Sequence, residues 1–181
     1  MKLIEVIKTR RTIMKFKPDP INVNQVIEFL DAAIFAPQHR FHEPWRFLVV
    51  ADEGRTKFST NITKDMTADE KTKVGDAIIR FFTKAPVIVG VIMPKPLNQD
   101  EYLEDLQAVA AMIQNFSLLV HEAGLGTAWK TPPYIKHVKL IETFGVRAQE
   151  ELVALIQVGI PEEQPQPRLR KSAKEKTIVI Q

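Results

Sequence analysis

Anion-binding side chains cluster just after the first predicted helix, where Arg10, Arg11 and Thr12 stand next to one another. Two planar guanidinium groups and a hydroxyl suit a phosphate, because guanidinium groups bind oxyanions through paired, charge-assisted hydrogen bonds. The same residues also suit a solvated helix end, since cations are favourable near a helix C-terminus. The stretch therefore indicates either an anion site or a basic surface, and the sequence around it leaves both interpretations open.

Two further stretches carry groups that could contact a ligand. The loop Ala36–His39 precedes an apolar run, and His39 is the only side chain in this loop that titrates near neutral pH. The second stretch, Trp129-Lys130-Thr131, follows two glycines and offers a flat ring, a positive charge and a hydroxyl. Each has a plainer explanation: a surface histidine in the loop, and a tight turn with a core tryptophan in the second stretch.

The chain lacks most of the residue patterns that do chemistry by themselves. It contains no cysteine, which excludes disulfides, thiolate nucleophiles and thiolate metal ligands. Neither a glycine-rich phosphate loop nor a Gly-x-Ser-x-Gly turn occurs. His39 and His42 could share a metal, but no residue nearby in the sequence completes the ligand shell, so we predict no metal site. Such a chain is expected to borrow its chemistry from a cofactor.

The composition indicates one globular domain over residues 1–181. The chain is 45% hydrophobic and 26% charged, which suffices for one ordinary core. No apolar run is long enough to cross a bilayer and no export signal is seen, so we expect a cytoplasmic protein without a membrane partner. The net charge of +3 is a mild excess, and a small anionic ligand explains the clustered arginines at least as well as nucleic acid, for which no binding motif occurs.

The hydrophobic pattern predicts helices mixed with strands. Asn22 has the spacing of a helix N-cap, and Pro37 ends the helix that follows. The run Phe47–Val50 is continuously apolar, which is typical of a strand buried on both faces. The other main elements are a helix over about 2–9, a strand over 87–93, a long helix over about 100–123 and a strand within 150–159. The middle of the long helix is apolar nearly all round, which fits either the core or a dimer interface.

The character of the chain changes from Pro161 onward. Three prolines indicate an extended segment, which carries Arg168 and Arg170 before a terminal apolar run, Ile178–Ile180. We interpret residues 161–181 as a C-terminal arm with a short strand at its end. A disordered basic tail is the alternative, although the apolar ending favours docking on another surface.

Four patches, in order along the chain, resemble the FMN-dependent nitroreductase family, and within it the small single-domain NAD(P)H nitroreductases of the bacterial YdjA type. The first is Arg10-Arg11-Thr12, which looks like the family's Arg-Arg-Ser. The others are Ala36-Pro37 with His39 and Pro44-Trp45, then Gly124-Leu125-Gly126-Thr127 with Trp129-Lys130-Thr131, and finally Gly159-x-Pro161 with the arm that bears Arg168 and Arg170. The resemblance spans nearly the whole chain.

The resemblance implies an α+β fold, with a mainly antiparallel central sheet flanked by helices, in an intertwined homodimer. It also implies FMN in a cleft between subunits, NADH or NADPH as electron donor, and His39 at the flavin of the partner subunit. The implied FMN-binding residues are Arg10, Arg11, Thr12, Phe35, His39, Trp129, Lys130, Thr131, Arg168 and Arg170. The implied nicotinamide side is His121, Glu122, Ala123 and Gly124.

The reaction that the resemblance implies is reduction of a nitroaromatic or quinone-like acceptor. A hydride would pass from NAD(P)H to flavin N5, and the acceptor would then replace the nicotinamide in a ping-pong sequence. No side chain is expected to be catalytic, because the flavin carries the chemistry, while the charge of Lys130 would raise the flavin potential. The alternatives are another flavin reaction, such as enone reduction or reductive dehalogenation, and a non-catalytic FMN-binding module.

Overall fold

The computed structural model describes residues 2–181, within which four strands form a single sheet with helices on both faces. The helices are α1 (Leu3–Thr9), α2 (Val23–Ala33), α3 (Glu53–Thr63), α4 (Ala68–Glu70), α5 (Asp76–Thr83), α6 (Gln99–Glu122) and α7 (Val138–Thr143). The strands are β1 (Arg46–Ala51), β2 (Val87–Pro94), β3 (Gly126–Lys130) and β4 (Glu150–Gly159). A π-helical segment, Lys71–Gly75, joins α4 to α5, and 3-10 turns cover His39–Phe41, Pro133–Lys136 and Ala173–Lys176. Among the helices of this range, none has the length and apolar character that a bilayer crossing requires.

The sheet is antiparallel throughout, with the strand order β1-β2-β4-β3. In the centre, Val89 of β2 lies opposite Val49 of β1 on one side and Ile156 of β4 on the other. The two outer strands of this order are β1 and β3. This arrangement confirms the predicted α+β class and the antiparallel sheet.

Different helices cover the two faces of the sheet, because successive side chains of a strand point in opposite directions. Ile88 and Ile92 of β2 belong to a buried cluster that includes Phe82 of α5. Val89, between them, belongs to a second cluster with Phe116 of α6. Both clusters are fully buried at these positions, so the sheet is a rigid support for the loops at its edges.

Two expectations about the outer parts of the chain are wrong. β1 is not buried on both faces: Val50 is its only buried residue and the other five are half-buried. The reason is its place at the edge of the sheet, which the apolar run itself does not reveal. The terminal run Ile178–Ile180 forms no strand and its side chains are exposed, since it touches no strand edge within residues 2–181.

The segment after α1 runs along the outer side of β3. Thr12 forms a parallel bridge with Thr127, and the Ile13 N–H donates to the Thr127 carbonyl at 2.9 Å. A Cβ on Gly126 would lie 2.3 Å from Ile13 Cγ1, so only glycine admits this close approach. The contact fixes the position of the backbone beside the two arginines that precede Thr12.

The other end of the chain returns to the same segment. Phe16 bridges Pro161, two residues after the end of β4. The Glu162 N–H then donates to the Lys15 carbonyl at 3.1 Å, and Gln164 Nε2 donates to the carbonyl of the last residue of α1 at 3.2 Å. These hydrogen bonds lead the start of the arm back across the N-terminal segment, so the two ends of the chain lie side by side.

Candidate functional site

A cavity of about 720 Å³ lies between the two ends of the chain. It is lined by Ile7, Lys8, Arg10, Arg11, Thr12, Met14, Pro165, Gln166, Arg168 and Arg170. We call it the arginine cavity. Five of these side chains are basic, and none of the lining residues in the described part of the chain is a carboxylate. The predicted anion-binding residues from both termini therefore meet in one place.

The basic side chains of the arginine cavity form no ion pair with a carboxylate within residues 2–181. Burial, together with the neighbouring charges of Arg11 and Arg170, lowers the pKa of Arg10. Arg11 Nη1 donates to the carbonyls of Lys8 and Arg10, both at 2.7 Å, which holds the guanidinium plane in place. Arg11 Nε is buried and has no hydrogen-bond partner within residues 2–181. An unpaired buried donor among crowded cations fits an oxyanion such as a phosphate.

A second cavity, of about 530 Å³, starts at Met14, which lines both. Its other walls are Ala77, Arg80, Phe81, Lys84, Trp129, Lys130, Thr131, Pro132, Tyr134 and Gln157. We call it the tryptophan cavity. Trp129 is 43% exposed, so the alternative of a core tryptophan is wrong. Lys130 Nζ lies 3.4 Å from Met14 Sδ, at the boundary between the two cavities.

Sequence reasoning missed three residues of the tryptophan cavity: Arg80, Lys84 and Tyr134. Arg80 and Lys84 are four residues apart at the end of α5 and so share one side of it. Neither forms an ion pair within residues 2–181. Burial raises the pKa of Tyr134 to about 12, against the opposing effect of Arg80, so the phenol is neutral near pH 7. The spacing of the two cations was visible in the sequence, but nothing there placed them beside Trp129.

His39 and Phe35 line neither of these cavities. His39 Nε2 lies 3.9 Å from Glu104 Oε2 of α6, in a separate shallow groove. Phe35 is 87% exposed and lies beside Phe41, which is 90% exposed. Two exposed aromatic rings close to a histidine are unusual for a surface that contacts only water. Their contact with FMN remains a prediction.

The end of α6 lies beside the arginine cavity without lining it. His121 Nε2 is 2.9 Å from Thr9 Oγ1. Burial and the charges of Arg10 and Arg11 lower the pKa of His121, which favours its neutral form. The predicted nicotinamide residues that follow it, Glu122, Ala123 and Gly124, are exposed. Their role remains a prediction.

Comparison with known proteins agrees with this architecture. Residues 7–160 match the model of the Nitroreductase family. YfhC of Bacillus subtilis, provisionally named an NAD(P)H nitroreductase, is 31% identical over 93% of this chain and 89% of its own. A nitroreductase-like family protein from Bacillus cereus has 30% identity and a TM-score of 0.90, with 99% of this chain and 96% of that chain covered.

A provisionally named nitroreductase from Desulfovibrio desulfuricans, solved in complex with FMN, shares the fold at 23% identity and a TM-score of 0.76, over 97% of this chain and 95% of that one. Both structural comparisons cover nearly the full length of this chain. The family model covers most of the sequence, including the arginines after α1 and the residues after β3. This chain belongs to the nitroreductase family.

Proposed function

We propose that the protein is an FMN-dependent NAD(P)H oxidoreductase that reduces nitroaromatic or quinone-like acceptors. The observation that carries the proposal is that the arginine cavity and the tryptophan cavity adjoin at Met14, which lines both. A ligand with a phosphate at one end and a flat ring at the other matches this pair of cavities, and FMN has that form. The chemistry that FMN supplies when bound is hydride transfer at N5, from NAD(P)H and then to the acceptor in ping-pong order.

The arginine cavity would hold the phosphate and the ribityl chain. Arg10 and Arg11 offer guanidinium donors, and Thr12 offers a hydroxyl. Arg168 and Arg170 both line this cavity, and Arg170 is the one whose charge acts on Arg10. We therefore assign Arg170 the stronger phosphate contact. Binding an anion here would also remove the mutual repulsion of these cations.

The tryptophan cavity would hold the ring. Trp129 supplies a flat wall, and Thr131 supplies a polar rim. Lys130 and Arg80 bring positive charge without a carboxylate beside them, which would favour an electron-rich, anionic ring over a neutral one. Their effect on the ring would be electrostatic. Water, rather than a protein acid, would supply protons to the acceptor.

The proposed enzyme is a homodimer. Within residues 2–181 the outer edge of β1 is unpaired, and beside it lies a cavity of about 430 Å³ with walls that include Ile27, Trp45 and Phe47. The exposed terminal run Ile178–Ile180 has the apolar character to cover such a surface on a second copy. In this dimer the loop that carries His39 would reach the flavin of the other subunit. A cytoplasmic location remains a prediction from the sequence.

The absorption spectrum of the purified protein tests the function. We expect a yellow protein that loses its visible absorbance when NADH or NADPH is added without oxygen, and regains it with a nitroaromatic or a quinone. Halogenated phenols and enones in the same assay test the other flavin reactions. A flavin that neither nucleotide reduces would contradict the proposed enzyme and favour a non-catalytic FMN-binding module. A protein that cannot take up FMN would contradict both.

The charges of the tryptophan cavity have their own test. Replacing Lys130 or Arg80 by Gln should lower the flavin reduction potential, because a cation near the ring stabilises its reduced form. Lys64→Gln, an exposed cation at the end of α3, is the control and should leave the potential unchanged. Equal potentials in all three variants would contradict the role of Lys130 and Arg80.

A further inference from the structure

A second cluster of chemically active side chains lies between α6 and the loop before β1. Glu101 and Asp105 are four residues apart on α6 and so present their carboxylates on one side of the helix. His42 approaches them from the loop, with its Nδ1 3.3 Å from Asp105 Oδ1. One ligand-type atom from each of these residues lies within 4.8 Å of the others. The cluster is separate from the arginine and tryptophan cavities.

The charges of this cluster do not balance. Asp105 is only 3% exposed, and within residues 2–181 its one polar partner is His42. No lysine or arginine forms an ion pair with Asp105 or Glu101 in the described chain, and the nearby Glu104 faces His39. Two carboxylates therefore share one imidazole, which carries at most a single positive charge. A buried carboxylate is costly without full compensation, so the arrangement lacks positive charge.

We propose that His42, Glu101 and Asp105 bind a divalent transition-metal ion such as Zn²⁺. A neutral imidazole with two carboxylates carries the charge that a divalent cation neutralises. One nitrogen and two carboxylate oxygens are ligands that zinc accepts, and waters would complete the coordination. Mg²⁺ and Ca²⁺ fit less well, because both prefer a shell made of oxygen alone.

The sequence could not show this site, which departs from our expectation of no metal. Its pattern offered only the pair His39 and His42, without a third ligand in the neighbourhood. The missing ligands come from the middle of the chain, where α6 passes under the loop. The metal would tie the loop to α6 and so fix the orientation of His39, three residues before His42. The proposal of a metal site rests on the contacts among these three residues and does not depend on the proposed flavin chemistry.

The test is calorimetric titration of ZnCl₂ into the full-length, tag-free protein after removal of metals with a chelator. We expect one zinc per chain and a higher thermal midpoint in its presence. His42→Gln and Asp105→Asn should each weaken zinc binding about 10-fold or more, as loss of a ligand or its support does elsewhere. Asp100→Asn removes an exposed carboxylate from the first turn of the same helix and should leave zinc binding unchanged. An excess of Mg²⁺ should not compete.

Each variant is first compared with the wild type by thermal unfolding without zinc, so that a folding defect is recognised; Asp105→Asn is the conservative choice because it keeps the shape of the side chain. Zinc binding weaker than about 100 µM would overturn the proposal. Unaltered zinc binding in folded His42→Gln and Asp105→Asn would overturn it as well. Stabilisation on acidification, without any zinc heat, would overturn it in favour of a protonated His42 paired with Asp105.

Discussion

Arg10 and Arg170 line the same cavity from opposite ends of the chain, and the charge of Arg170 helps to lower the pKa of Arg10. The two guanidinium groups repel each other. Hydrogen bonds that lead the arm back across the N-terminal segment offset this repulsion. Such repulsion is common where a ligand of opposite charge is to be bound. This relationship is the strongest structural sign of an anion site in the protein.

Truncation of the arginine side chains that line the arginine cavity should weaken FMN binding. Arg10→Ala and Arg170→Ala should each cost about 1.5–3 kcal/mol of binding free energy, because each removes charged hydrogen bonds. Fluorescence titration of the protein without cofactor measures the change. Lys17→Ala, an exposed cation outside the cavity, should bind FMN like the wild type. Wild-type affinity in Arg10→Ala would contradict the assigned role.

The close approach at Gly126 should be needed for both stability and cofactor binding. Gly126→Ala places a methyl group 2.3 Å from Ile13 Cγ1 and should lower the free energy of unfolding by about 1–3 kcal/mol. FMN affinity should fall as well, because the arginines before Ile13 shift. Gly54→Ala, where the nearest atom is 3.9 Å away, should change stability by less than about 1 kcal/mol. Chemical unfolding of both variants checks this, and equal stabilities would contradict it.

Acidification should destabilise the protein without cofactor through His121. Its pKa lies below the ordinary value of 6.5, because of burial and the charges of Arg10 and Arg11. The unfolded chain therefore binds the proton first, and the stability that the neutral form contributes is lost as pH falls from about 6.5 through the lower folded pKa. The thermal midpoint of His121→Gln should decline less over this range than that of the wild type or of His137→Gln. Equal declines in all three would contradict the assignment.

The terminal run should hold the proposed dimer together. Ile178→Asp combined with Ile180→Asp places two charges on a surface that is buried when it covers β1 of the other copy. Burial of unpaired charges is unfavourable, so we expect monomers in light scattering after gel filtration. Lys176→Gln, just before the run, should remain dimeric. We also expect weaker FMN binding in the double variant, since His39 would no longer reach the flavin. A dimer of unchanged stability in the double variant would show that another surface forms the interface.

Much of the local structure could be predicted from the sequence, because it depends on residues that are neighbours along the chain. Asn22 caps α2 as predicted, with its side chain accepting from the Asn24 N–H at 2.9 Å. The long helix was predicted over 100–123 and is observed as α6, within a residue at each end. Caps, proline breaks and the period of apolar residues act over a few positions, which is why they can be read directly.

The sequence by itself determined which chemistry the chain can offer: cations and a hydroxyl after α1, a tryptophan and a lysine after α6, and no thiol anywhere. Only the tertiary structure decided which of these groups meet. It placed Arg10 and Arg170 in one cavity and Arg80 in the cavity wall with Trp129. It also placed β1 at an edge of the sheet. The physical reason is that strand order and chain crossings follow from how whole faces pack, which no local spacing records.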